Sequence, residues 1–203
     1  MKKALSLVLC CSVLLVCLTG CDKKLNLKLS NFEKYAVKDL QIEKKDISEK
    51  ADNAYYDLDS MIEPDETENK RDHYAQVYST APGSTASSMA MIYTDYASAD
   101  EAREFYDNIT KQEEDMIDAS SDNYIKDRGD NYLLVLEKEN GTNWFYDCLY
   151  IDNDVILFVT IRIGTSDINN INKEWLHNVS KFFKDIGAKS PFSLSPEIDS
   201  LSK

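Results

Sequence analysis

The residue pattern predicts an α+β domain: a mainly antiparallel sheet of about six strands with about three amphipathic helices packed on it. Three observations carry this prediction. Residues 123–163 read as four short strands separated by the turn signals Arg128-Gly129-Asp130-Asn131, Asn140-Gly141 and Asp152-Asn153-Asp154. Apolar residues recur at helical spacing in separate stretches elsewhere. The order is helix, two strands, helix, four strands, helix, and no internal repeat of roughly 20–50 residues interrupts it.

Residues 22–30 permit two readings, a tether or, through the alternation of Leu25, Leu27 and Leu29, a first strand. Residues 31–45 are equally open. Ser30 and Glu33 have capping-box spacing, which suits a short helix, while Tyr35, Val37, Leu40 and Ile42 suit a strand. The next helix is better defined. Asp46 and Glu49 fit N-cap and N3, Ile47, Ala51, Ala54, Tyr55, Leu58, Met61 and Ile62 share one face, and Pro64 stops it. Strands are predicted near 73–79 and 88–95, split by Ala81-Pro82-Gly83-Ser84. Ser98 and Glu101 cap a helix lined by Ala102, Phe105, Tyr106, Ile109, Met116 and Ile117. The acidic run Glu113-Glu114-Asp115 near its C-terminal end opposes the helix dipole.

The meander strands are predicted at 124–128, 131–138, 143–151 and 155–163. Asn140-Gly141 favours a two-residue hairpin, and the last strand is apolar on nearly both faces, so it belongs in the middle of the sheet. Ser166 or Asp167 is the expected cap of a final helix with Ile168, Ile171, Trp175, Leu176, Val179, Phe182, Phe183 and Ile186 as its buried stripe and Gly187 past its end. Residues 191–203 are rich in Ser and Pro and read as a flexible tail. A single domain over 31–190 follows. Hairpin, helix, meander and terminal helix in that order resemble the Mog1/PsbP-like sandwich.

The N-terminus carries a different kind of signal. Lys2 and Lys3 precede Ala4–Leu18, fifteen uncharged residues, which is the layout of a secretory signal at residues 1–20. Fifteen helical residues reach about 22 Å, short of the roughly 30 Å hydrocarbon core, so a plain transmembrane helix is disfavoured. Leu18-Thr19-Gly20-Cys21 then resembles the lipobox of bacterial lipoproteins. The resemblance implies a diacylglycerol thioether on Cys21 and cleavage between Gly20 and Cys21, leaving 21–30 as a lipidated tether. Only a thiolate is nucleophilic enough to be alkylated there near neutral pH. Two acyl chains hold a protein on a membrane where one binds only marginally. Localisation at the extracytoplasmic face of a cell membrane follows from the same resemblance.

Processing changes the composition. The full chain has 203 residues, five cysteines and a net charge of −13. Cys10, Cys11 and Cys17 leave with the signal and Cys21 carries lipid, so Cys148 alone remains and no intramolecular disulfide forms. Without Lys2 and Lys3, 21 basic residues face 36 acidic ones, a charge of −15. That balance argues against nucleic acid as a partner, since nucleic-acid binders present a basic face.

Motifs for chemistry are sparse. His73 and His177 lie in different elements without ligand spacing, and no GxSxG, Walker A or GxGxxG pattern occurs. Asp57, Asp59, Asp65, Glu66 and Glu68, and separately Asp152 with Asp154, are acidic clusters that fit no calcium loop. No catalytic set, metal site or cofactor is expected. Trp144, Tyr146 and Tyr150 share one face of a strand, with Tyr132 on a neighbour. They are either core or a face that stacks on a sugar or partner side chain. The sequence therefore predicts a lipid-anchored binding or accessory module for an envelope protein or glycan, with a small cell-surface hydrolase as the alternative. Solute-binding lipoproteins of the two-lobed kind are larger and rich in parallel βαβ units, which this pattern lacks.

Overall fold

Tyr and branched aliphatic residues dominate 87–96 and 132–164, and there they build the centre of a sheet. The computed structural model describes residues 24–44, 47, 71–82, 87–119, 123–139, 142–165 and 170–203. The strands are β1 (Arg71–Thr80), β2 (Ser87–Tyr96), β3 (Tyr124–Gly129), β4 (Tyr132–Glu139), β5 (Asn143–Asp152) and β6 (Val155–Gly164). They form one six-stranded antiparallel sheet in the order β1-β2-β6-β5-β4-β3. The fold is α+β. β6 lies in the middle, as its two-sided apolar pattern requires. The described residues add four α-helices, α1 (Leu29–Leu40), α2 (Ala99–Ala119), α3 (Lys173–Ile186) and α4 (Pro196–Leu201), with a 3₁₀ turn over Pro191–Leu194. The helix expected over 46–62 lies outside the described residues, apart from buried Ile47.

The register sorts side chains into two faces, because directly paired residues point the same way. Met91, Val159, Cys148 and Leu134 form one buried row across β2, β6, β5 and β4. Ile92, Phe158, Leu149 and Leu133 form the neighbouring row on the opposite face. The first face is covered by α1, α3 and the C-terminal segment, the second by α2.

α3 begins five or six residues later than a cap at Ser166 or Asp167 would place it. Asn172 is the cap, its Oδ1 accepting the Trp175 N–H at 2.9 Å. Ile171 before the cap and Leu176 after it are both buried in the same cluster, a hydrophobic staple that fixes the entry of the chain. Gly187 ends the helix at φ 76°, and the Ala188 N–H returns to the Phe183 carbonyl at 2.8 Å.

The two ends of the chain depart from the sequence reading. The tether predicted over 21–30 is already packed at Leu25 and Leu27, which are buried. The Asn26 N–H donates to the Ile186 carbonyl (2.9 Å) and the Leu27 N–H to Asp152 Oδ2 (3.1 Å), so residues 24–28 are neither tether nor sheet strand. α1 follows at once and resolves the open reading of 31–45. Phe32, Ala36 and Leu40 lie four apart and are buried, and Asp39 beside them accepts from Lys181 Nζ on α3 at 2.7 Å. Ser30 sits inside the helix, so its capping-box spacing is unused.

The predicted flexible tail at 191–203 is folded. Pro191 and Pro196 each occupy a first-turn position, where the ring presets helical φ and the missing N–H is not needed. Phe192 and Ile198 are fully buried, and Phe192 meets Tyr146 edge-on at 5.6 Å.

The hairpin between β4 and β5 also differs from expectation. Glu139 pairs with Asn143, which puts three residues rather than two in the connection. Asn140 and Gly141 themselves lie outside the described residues. The β5–β6 turn is as predicted, with Asn153 in the left-handed region at φ 59°.

Candidate functional site

Ser98 starts α2, its Oγ accepting the Glu101 N–H at 3.2 Å. Ala102 and Tyr106 then bury fully against Tyr96, Leu133 and Ile151. Two polar ties hold the helix to the β3 edge of the sheet. Arg103 Nη1 donates to the Asp130 carbonyl (3.0 Å), and Arg128 Nη1 to Glu114 Oε2 (2.7 Å).

On the opposite flank the helix and the sheet do not close. Phe105, Ile109, Gln112, Glu113 and Met116 from α2 face Ile92, Thr94, Tyr96, Phe158 and Ile156 from β2 and β6, and Leu149 and Asp147 from β5. Together they surround about 300 Å³. That is the lower end of the range for small-molecule sites. Most of the wall is apolar. Tyr96 and Phe105 lie 5.4 Å apart with tilted rings, and Met116, 50% exposed, stands at the rim.

Two carboxylates share this wall. Asp147 lies between Phe145 and Leu149 on the α2 side of β5, with Val135 and Thr160 as its strand partners. Burial pushes its carboxyl up to about 6, helped by the negative charges of Glu113 and Glu137. Burial likewise raises Glu113. The charges acting on Asp147 are thus of its own sign. Such a pair can take up a proton or hold a cation, and perturbed carboxyls in a cavity are a recognised mark of a functional site. No described group of three or more His, Cys, Asp or Glu residues could hold a metal ion.

The aromatic face proposed from the sequence is not a surface. Trp144, Tyr146 and Tyr150 all point to the side opposite α2 and are buried there. Tyr150 stacks near Phe183 at 5.7 Å and donates its hydroxyl to the Lys189 carbonyl at 2.7 Å. Tyr146 lies under Phe192. Lys138 Nζ covers Trp144 at 5.6 Å from the ring centre. A binding role for this trio is overturned by its burial under α3 and the C-terminal segment. Tyr132, half-buried, accepts from Lys189 Nζ at 3.1 Å.

Other singled-out residues are scattered. Cys148 is buried on the same face, and burial pushes its thiol up, so it is not a reactive thiolate. His177 Nδ1 lies 3.2 Å from the Ser202 carbonyl, on the outside of α3. The His73 side chain, the 57–68 acidic cluster and the lipobox residues Leu18, Thr19, Gly20 and Cys21 lie outside the described residues. Asp152 and Asp154 serve the fold: one accepts from the Leu27 N–H, the other from Asn153.

The cavity carboxylates were visible in sequence only as oddities. Asp147 is the lone charge in the interior of the aromatic run Asn143–Asp152, and Glu113 belongs to the acidic run that opposed the dipole. In the fold that run divides, with Glu113 at the cavity, Glu114 paired to Arg128 and Asp115 in solvent.

No family model matches the sequence, and no curated protein matches it. Among solved structures, the chain is similar to the extracellular domain of PknH from Mycobacterium tuberculosis, at 12% identity and a TM-score of 0.39. The likeness covers 59% of this chain and 66% of that one. No described helix is long and apolar enough to cross a membrane.

Proposed function

We propose that the chain is a lipid-anchored, extracytoplasmic lipoprotein whose single α+β domain is a binding or accessory module of the cell envelope, and that its ligand site is the cavity beneath α2. The cavity is the observation that carries the binding half of this reading. It combines an apolar wall with a small number of placed polar groups, the usual composition of a small-molecule site. The anchoring half rests on the Lys2-Lys3 start, the uncharged stretch to Leu18 and the lipobox ending at Cys21. The high negative charge suits this placement. Beside an anionic bilayer it holds the domain off the surface and leaves attachment to the lipid.

The two halves are tested separately. Cells fed labelled palmitate should label the wild-type chain and leave the Cys21→Ser variant unlabelled and released from the membrane fraction; label on the variant refutes the anchor. For the cavity, the chain purified from its membrane should yield a bound small molecule by mass spectrometry or take one up from a fragment panel. Met116→Trp, which places an indole at the rim, should reduce that occupancy. A wild-type chain that neither carries nor takes up any small molecule would remove the binding reading.

A further inference from the structure

The cavity beneath α2 also indicates what it would hold. We infer that it binds a small organic ammonium: an apolar group of phenyl or branched-alkyl size carrying one protonated amine. The inference rests on the binding reading above and adds the ligand's chemistry to it.

Three features of the wall converge on that class. Asp147 and Glu113 bring two carboxylates from opposite sides, one from β5 and one from α2, into a mostly apolar enclosure. Both are half-buried, and a pair of like charges partly withdrawn from water is costly unless a cation joins it. The charges that act on Asp147 in the structure, those of Glu113 and Glu137, are both negative. Tyr96, Phe105 and Phe158 supply aromatic surface in the same wall, and an ammonium is attracted to ring faces as well as to carboxylates. Ile92, Ile109 and Leu149 offer only apolar contact, which suits the body of such a ligand rather than a hydrated metal ion. Outside the cavity, the acidic chain raises the local concentration of any cation.

The arrangement sets a pH dependence. Facing Asp147 are Glu113 from α2 and Glu137 from β4, with Lys126 and Tyr124 from β3 and Arg162 from β6 on the same sheet face. Arg162 is engaged over the Phe145 ring at 5.4 Å. A bound ammonium holds the two carboxylates ionised, so protons compete with it. Affinity is greatest where both are charged and declines as pH falls through about 6.

The test uses the full chain in a non-ionic amphipol, titrated calorimetrically with phenethylammonium, 2-phenylethanol and phenylacetate, which share a size and differ in charge. At pH 7.5 the ammonium should bind at least about tenfold more tightly than the alcohol, and phenylacetate should not bind. Lowering the pH to 5 should weaken the ammonium about tenfold. Asp147→Asn should remove most of the preference, and Glu113→Gln, should the first variant fold poorly, should do the same. Alcohol binding as tight as the ammonium, or tighter phenylacetate, overturns the inference and leaves the cavity a binding site for another ligand class. Binding of none of the three, with no uptake from the fragment panel, overturns the binding reading as well.

Discussion

The two faces of the sheet are built by the same strands and meet opposite fates. Along β5, Trp144, Tyr146, Cys148 and Tyr150 enter a core shared with α1, α3 and the C-terminal turns, where aromatic rings fill the space. Their neighbours Phe145, Asp147, Leu149 and Ile151 turn toward α2, the one described helix on that face, which leaves a cavity with a charge in its wall. A strand's alternation thus carries two programmes at once, one for stability and one for a site. The difference comes from how many elements cover each face. Among the described residues, several elements close the first face, whereas α2, tied to the β3 edge by Arg103 and Arg128, stands over the second with a cavity along its other flank.

The largest expected contrast is in packing. Phe182 is fully buried among Phe32 and Phe183, at 6.2 and 5.5 Å between ring centres. Phe182→Ala should destabilise the domain by about 3–5 kcal/mol, the usual cost of an emptied aromatic site. Phe105, half-buried in the cavity wall, already faces open space, so Phe105→Ala should cost roughly half as much. Urea unfolding of the two variants measures both. Equal losses would mean that the α2 face is as tightly packed as the other and that the division between the faces is wrong.

The second contrast is electrostatic and runs the other way. Asp147→Asn should stabilise the protein at neutral pH. The folded carboxyl lies near 6 against an ordinary value of 3.8, so the unfolded chain gives up its proton more readily than the folded one. Stability contributed by this group is therefore intact below about pH 4, declines as pH rises between the two values, and is fully lost above about 6. The shift corresponds to roughly 3 kcal/mol. The variant's advantage should be present at pH 7.5 and absent near pH 4, read as the difference between variant and wild type in urea unfolding. An advantage independent of pH would show that the carboxylate's charge is not what the α2 face bears.

What the sequence made legible follows the same division. The strands and their turns are local properties: Val155–Gly164 is apolar on both sides and is central, and Gly187 marks the end of α3 because its φ is positive. Which face meets which helix is not local. The alternation of β5 identifies Trp144, Tyr146 and Tyr150 as a set, but nothing in their spacing says that α3 and Phe192 cover them. Proline misled for a related reason. Pro191 and Pro196 break a continuing helix but begin a new one, and only the burial of Phe192 and Ile198 decides between the two. At the site, Asp147 and Glu113 are 34 residues apart in elements of different period, so their meeting is a product of the fold.

The smallest expected effect tests the seal over the closed face. Lys138 Nζ donates to Glu197 Oε1 at 2.5 Å, joining β4 to α4, and this bond is the main reason the Glu197 carboxyl is held down to about 2. Both side chains are more than a third exposed, so solvent screens the pair and its value is about 0.5–1 kcal/mol rather than what the pKa alone would suggest. A carboxyl depressed in the folded state contributes stability that is complete above its ordinary value of 4.5 and disappears as pH falls toward 2. Lys138→Ala should therefore cost less than about 1 kcal/mol at pH 7 and nothing near pH 2. It also uncovers the edge of Trp144, whose ring Lys138 overlies, so the variant's tryptophan fluorescence should shift slightly to the red. Phe192 and Ile198 bury the larger share of the C-terminal segment and should keep it docked, visible as unchanged amide exchange protection at Ser202, whose N–H donates to the Ile198 carbonyl at 3.1 Å. Rapid exchange there in Lys138→Ala would show that the ion pair, and not the buried apolar residues, closes this face.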